Sequence, residues 1–229
     1  MVHNIDRARV RELADARDAR IVEVLPLDEY ARAHLPGAAH LPLAELAHDL
    51  PPWLDPARPI VVYCANSECD LSPRAAHRLE HLGARDVHDY TAGKRDWLSA
   101  DLPYDGDAVL VSLRTRRDPV VAALDDAVDE VADRVLGDAA GLAVVVDDGG
   151  VVQGVVGGRE LTGSSTGDRA GDVMNTGVTT VRPGEEVDPL VERMRRAAID
   201  DMVVTRPDGT LVGLFSLALV RDPRSGPRP

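Results

Sequence analysis

The sequence predicts two consecutive α/β domains, the first on a parallel sheet and the second on a duplicated unit. Short apolar runs alternate with helix-period segments through the first hundred residues, the pattern of a parallel sheet flanked by helices. The pattern loosens at Leu102-Pro103-Tyr104-Asp105-Gly106-Asp107. Beyond it, residues 119–161 recur without gaps at an offset of 59.

Residues 5–19 place Ile5, Val10 and Leu13 on one side among Arg and Asp, which predicts a surface helix. Ile21-Val22-Glu23-Val24 is a strand closed by Pro26, and 28–32 a brief helix stopped by Pro36-Gly37. Residues 44–49 give another helical turn, and Pro51, Pro52 and Pro56 mark a loop. Pro59-Ile60-Val61-Val62-Tyr63 is a second buried strand with Cys64 at its end. A helix over 73–82 buries Ala75, Ala76, Leu79 and Leu82 and stops at Gly83. Val87–Tyr90 is a third strand, and Lys94–Ala100 a helix carrying Trp97. In the second half, Val128-Asp129 falls on Val187-Asp188, Val144-Val145 on Val203-Val204, and Gly150 and Gly154 on Gly209 and Gly213. Each copy reads helix (125–136; 186–197), strand (142–146; 202–205), Gly turn, strand (151–156; 210–215) and short helix. One such unit buries little surface alone, so the two are expected to pack together. The Gly- and Ser-rich Thr162–Gly171 joins them.

The chain has 229 residues, 44% of them hydrophobic, enough for buried cores. With 39 Asp+Glu against 26 Lys+Arg and a net charge of −13, it has no basic footprint for nucleic acid or an anionic membrane. Lys94 is the single lysine. No segment has the roughly 18 apolar residues of a membrane helix, and MVHNIDRARVREL is no secretion signal. The expected compartment is the cytoplasm. Cys64 and Cys69 are too few for a disulfide scaffold or a structural zinc site, and no metal site is expected. Two close cysteines raise redox or nucleophilic chemistry instead.

In PIVVYC-ANSECDL-SPRAA a buried strand ends in Cys64, seven residues loop over, and Ser72-Pro73 opens a helix, with Ser72 as N-cap. Free N–H groups and the helix dipole there favour negative charge. A thiolate at this place is expected to be stabilised with no neighbouring base. The other reading is a small apolar residue ending a core strand.

Glu23-Val24-Leu25-Pro26, Glu29-Tyr30, His34-Leu35-Pro36-Gly37-Ala38 and Leu41-Pro42-Leu43 resemble the opening motif of a single rhodanese (sulfurtransferase) domain. Val61–Cys64, Ser72, Ala75-Ala76, Leu79, Leu82-Gly83, Val87, Tyr90, Ala92-Gly93 and Trp97 follow the family's later pattern. The resemblance covers about residues 5–104. It implies that Cys64 is the persulfide-forming catalytic nucleophile, cradled by the amides of Ala65, Asn66, Ser67, Glu68, Cys69, Asp70 and Leu71. The chain departs from the family in its longer loop, in Cys69, and in Glu23 and Leu25 replacing the usual aspartate and arginine. Glu68 and Asp70, with no Arg or Lys in the loop, oppose thiosulfate by Coulomb repulsion, which favours a thiol persulfide as donor. Cys69 is either a resolving thiol that attacks the Cys64 persulfide or a passive loop residue. Related phosphatase folds carry Arg six positions after the cysteine; Asp70 stands there, which excludes that chemistry. His34 is expected to make a structural hydrogen bond. His77 and His81 sit at metal-binding spacing but read as a solvated helix face. Arg74 and Arg95 read either as guides for anionic substrates or as surface residues.

Asp172-Val173-Met174, Val181-Arg182-Pro183 and Gly209-Thr210-Leu211-Val212-Gly213 resemble a cystathionine-β-synthase-type (CBS, or Bateman) pair over about residues 108–222. The family resemblance implies an adenine-nucleotide or S-adenosylmethionine site, or a dimerising platform. Gly154 and Glu160 in the first copy, and Gly213 and Ser216 in the second, are the candidate ligand residues, and neither set is complete. Arg114, Arg116 and Arg117 either contact phosphates or form a charged linker.

The expected organisation is a rhodanese-like domain over 1–104, a linker over 105–117, a CBS pair over 118–222 (copies at 118–161 and 168–222) and a tail over 223–229. The expected function is sulfurtransfer through a Cys64 persulfide from a small-molecule or protein donor to a thiol acceptor. No cofactor is required, and the CBS pair regulates the step or joins a homodimer. The alternatives are a non-enzymatic redox or ligand sensor using Cys64, Cys69 and the CBS module, and an inert rhodanese scaffold.

Overall fold

A computed structural model describes residues 1–16, 19–46 and 48–221. The tail expected at 223–229 lies outside the described residues. The chain divides into two units, Met1–Ala108 and Val109–Pro229.

The first unit is a parallel sheet of five strands in the order β1-β5-β4-β2-β3. In chain order these are β1 (Val2–Asn4), α1 (Arg7–Asp15), β2 (Arg20–Glu23), α2 (Leu27–Arg32), β3 (Ala39–His40), β4 (Ile60–Tyr63), α3 (Leu71–His81), β5 (Val87–Tyr90) and α4 (Gly93–Ser99). Central strand β4 is buried along its whole length, as expected of a parallel strand covered on both faces. The edge strands β1 and β3 are additions to the expected elements. Each is two or three residues long and carries no apolar run, so its pairing comes from the sheet edge rather than from local pattern. The 105–117 linker is corrected. His34 and Asp105 exchange backbone hydrogen bonds and the Ala108 amide reaches Arg32 O, which holds 105–108 in the first unit. Val111 belongs to the second unit's core.

A buried ion pair crosses the first unit. Lys94 Nζ donates to Glu23 Oε1 at 2.7 Å and to the Glu29 carbonyl at 2.8 Å. Glu23 is fully buried and Lys94 is 7% exposed. Burial pushes the Glu23 carboxyl above its ordinary range, and the Lys94 hydrogen bond partly offsets this.

In the second unit, β7 (Val120–Ala123), β8 (Leu142–Val146) and β9 (Val152–Gly157) form one sheet. A second sheet takes β10 (Thr180–Val181), β11 (Asp201–Thr205), β12 (Leu211–Ser216) and β6 (Thr115–Arg116). Helix α5 (Val128–Leu136) and short helices α6 (Gly158–Gly163) and α7 (Ala170–Val173) accompany the first copy; α8 (Val187–Ala197) and α9 (Leu217–Arg221) accompany the second. The duplication is visible in the backbone. The ladder shifts register between Val145 and Val146 and again between Val204 and Thr205, 59 positions on. Turn glycines Gly150 and Gly209 both have positive φ. Val144, Val203 and Leu214 pack as a cluster joining the copies. Gly213 is required where β6 crosses β12, since a Cβ there would stand 2.1 Å from Arg116 O. Among the described residues no helix is long and apolar enough to cross a membrane.

Removing one partner of a buried pair strands the other charge, so Glu23→Ala should lower stability by about 3–5 kcal/mol in urea unfolding. The double variant Glu23→Leu/Lys94→Met should recover most of that loss. A single variant unfolding at the parent's midpoint would contradict the assignment.

Candidate active site

Cys64 follows β4 directly, at the C-terminal edge of the sheet. Its carbonyl accepts from the Lys94 amide at 2.9 Å, and the Ala65 carbonyl from the Arg95 amide at 2.9 Å. These bonds pin the start of the loop to the first turn of α4. Gly93 makes the approach possible: its φ is +66°, and a Cβ would lie 2.6 Å from Cys64 O. The same Lys94 whose ammonium is buried against Glu23 therefore holds the cysteine backbone.

The helix after the loop begins earlier than expected. Asp70, not Ser72, is the N-cap, and Leu71 the first helical residue. Ser72 lies inside the first turn, fully buried, and is corrected from cap to site residue. Its Oγ is 3.4 Å from Cys64 Sγ. The Cys64 thiol also faces the Cys69 carbonyl at 3.5 Å and the Asn66 carbonyl at 3.9 Å. Acceptors thus surround a hydrogen on sulfur.

The cradle amides are partly engaged. Glu68 N donates to Asn66 Oδ1 at 2.9 Å and Cys69 N to Asn66 O at 3.1 Å. Two of the seven expected donors are thereby turned into the loop's own turn. Ser67, Glu68 and Asp70 are exposed, while Ala65, Asn66, Cys69 and Leu71 are half-buried. Asp70 pairs with Arg74 at 3.3 Å.

The expected stabilised thiolate is corrected too. Cys64 has no solvent exposure. Burial pushes its thiol up from the ordinary value, the neighbouring Cys69 thiol adds to this, and hydrogen bonding from Ser72 side chain and backbone only partly offsets it. Loss of water around a charge outweighs the amide and helix-end attraction here. Cys69 is half-buried.

Asp89 on β5 was not singled out by the sequence. It is 1% exposed, and its Oδ1 has no hydrogen-bond partner among the described residues. It pairs in register with Val62, two residues before Cys64. In a parallel ladder paired residues share a face and side chains alternate, so Asp89 and Cys64 project to the same side. Burial pushes the Asp89 carboxyl up, while a hydrogen bond from Ser72 and the charge of His77 pull it down. The available signal was an aspartate in a strand buried at every position.

Three histidines make local hydrogen bonds to backbone carbonyls. His34 Nδ1 bonds the Tyr30 carbonyl at 2.8 Å while its ring stacks on Tyr30, and His40 Nε2 bonds Leu25 O at 2.8 Å. His81 Nδ1 bonds His77 O at 2.7 Å within α3. Among the described residues no three His, Cys, Asp or Glu side chains gather as a metal site. Arg95 is exposed.

In the second unit the ligand candidates separate. Gly154 packs under Met174 and Asn175: a Cβ would stand 2.7 Å from Met174 Sδ. Glu160 Oε2 accepts from the Gly157 amide at 2.9 Å, capping α6. The first-copy pair is thus spent on packing and capping. Ser216 lines a cavity of about 90 Å³ with Arg116, Asp201 and Leu214. Arg116 is gripped by both oxygens of Asp138, at 2.5 and 2.9 Å, so its charge is paired within the second unit.

The site predicts an order of labelling. Monobromobimane at neutral pH should modify Cys69 roughly tenfold faster than Cys64 in the native protein, the two becoming equal in denaturant. Faster native labelling of Cys64 would contradict the geometry.

Comparison with known proteins matches residues 6–100 to the rhodanese-like domain family and residues 170–221 to the CBS domain family. The chain is 37% identical over 101 residues to an HTH-type transcriptional regulator of Mycobacterium tuberculosis, covering 44% of each. It therefore spans less than half the length of that curated relative. Among solved structures, the CBS domains of a transcriptional regulator from Streptococcus pneumoniae are 21% identical, covering 51% of this chain and 100% of that one, with a TM-score of 0.47. A CBS domain pair solved with 5′-methylthioadenosine and S-adenosyl-L-methionine is 18% identical, covering 50% and 94%, with a TM-score of 0.44.

Proposed function

We propose that this chain, which joins a rhodanese-like domain to a CBS domain, moves sulfane sulfur through Cys64. The carrying observation is the placement of Cys64 at the end of β4, its carbonyl tied to α4 and its sulfur against the first turn of α3. In the first step the Cys64 sulfur bonds the outer sulfur of a thiol persulfide. The donor's S–S bond breaks and the donor leaves as its thiolate. An acceptor thiolate then takes that outer sulfur and Cys64 is released as thiolate, with no net oxidation. Because the resting thiol is buried, the loop over 65–71 must part for the donor to enter.

Exposed Glu68 selects against anionic donors, and Asp70 adds less because Arg74 pairs with it. Transfer from a low-charge alkyl persulfide should exceed transfer from thiosulfate by about fivefold in kcat/KM, from roughly 1 kcal/mol of repulsion. A preference for thiosulfate would refute this.

A second reading is favoured by the nearness of Cys69 to the Cys64 thiol and by the regulator among the relatives. In it Cys69 attacks the Cys64 persulfide, hydrosulfide leaves, and a Cys64–Cys69 disulfide records the event. Mass spectrometry after exposure to a persulfide donor separates the two. Added sulfur on Cys64 with turnover supports transfer; a stable disulfide without turnover supports the sensor.

The second unit serves this reading as a platform joining two chains. Val121, Leu124 and Leu136 are exposed on the first copy. The 90 Å³ cavity at Ser216 is well below the roughly 300 Å³ of small-molecule sites. AMP, ATP and S-adenosylmethionine should each shift the melting temperature by less than about 2 °C; a larger shift would establish a ligand role instead.

A further inference from the structure

Resting on the reading of Cys64 as a sulfur acceptor, we infer that Asp89, acting through the Ser72 hydroxyl, receives the Cys64 thiol proton when sulfur arrives. Ser72 Oγ stands 3.4 Å from Cys64 Sγ and is fully buried. Asp89 shares the α3-covered face of the sheet with Cys64, through its register with Val62. It is 1% exposed, with Oδ1 unpartnered among the described residues. Ser72 also hydrogen-bonds the Asp89 carboxyl, whose other oxygen, Oδ1, has no donor among the described residues. A buried carboxylate short of donors costs free energy, and one bonded to a nucleophile's own hydrogen-bond partner is placed to accept a proton.

The step balances without oxidation. The S–H bond of Cys64 breaks and its electron pair stays on sulfur. The proton passes to Ser72 Oγ as the Ser72 proton passes to Asp89. Thiolate and neutral carboxylic acid result, and the reverse transfer resets the line once sulfur has left. Asp89 never touches the incoming sulfur; it positions the proton. Ser72 lies two residues inside the N-cap position held by Asp70, whose side chain makes no capping bond. The other groups packed around the line are Cys69 in the loop, His77 on α3, Asn4 of β1 opposite Asp89 and Val62 of β4. Of these, only Cys69 and His77 are ionisable.

The test measures iodoacetamide alkylation of Cys64 against pH in the Cys69→Ser background, which involves no sulfur transfer. With Asp89 in place, the rate should be nearly level through neutral pH, because proton exchange within the line is independent of bulk pH. Asp89→Asn should slow alkylation at neutral pH by about tenfold or more and make the rate rise in proportion to hydroxide. Ser72→Ala should give the same change, and carries the test alone if Asp89→Asn fails to fold by circular dichroism. A folded Asp89→Asn or Ser72→Ala protein with the parent's rate and profile overturns the inference. Loss of sulfur transfer with the alkylation effect intact would instead sink the carrier reading.

Discussion

Lys94 is the residue on which the geometry around the sulfur depends. Its ammonium is held by Glu23 at the end of β2 and by the Glu29 carbonyl in α2, and its amide holds the Cys64 carbonyl at the end of β4. Three separate stretches of chain are fixed by one side chain and its own backbone. Gly93 beside it supplies the positive φ that brings α4 against the loop. Desolvating two charges is expensive, and a buried pair rarely adds stability over an apolar replacement. Its value here lies in specificity of placement, with Cys64 landing where α3 begins.

Two effects compete at that sulfur, and their magnitudes decide its state. Amides and the helix end attract a negative charge by a modest amount, typically about 0.3–1 kcal/mol at an exposed end. Burial away from water penalises the charge by more, and shifts of several pKa units accompany full burial. With carbonyls of Asn66 and Cys69 facing the thiol, the neutral form prevails at rest. On the proposed reading of Cys64 as a sulfur acceptor, the loop parts to admit the donor and the Ser72–Asp89 pair takes up the thiol proton.

Much of this was legible in the sequence, and the failures have physical causes. The alternation of apolar runs and helical segments gave the central strands, because buried parallel strands are apolar throughout. The edge strands left no such trace. The repeat was readable to the residue, down to the turn glycines; the matching register shifts at the same offset appear only in the structure. The position of Cys64 was readable from a strand followed by a helix start. Its protonation was not, since burial is a property of the assembled loop. Ser72 was misread as a cap because Ser before Pro is a common helix start, whereas packing turned its hydroxyl inward. Lys94 was noticed as the single lysine, yet only the fold shows Glu23, seventy-one positions earlier, as its partner. The incomplete ligand motifs of the second half were readable as incomplete. What fills them, Met174 over Gly154 and a cap at Glu160, was not.

The most direct measurement is an ultraviolet titration of the thiolate in the Cys69→Ser protein, with Cys64→Ser as blank. Almost no thiolate absorbance is expected at neutral pH, with a midpoint above that of a free cysteine. A midpoint below neutrality would show a preformed thiolate, and the closed, protonated resting site described for Cys64 would be wrong.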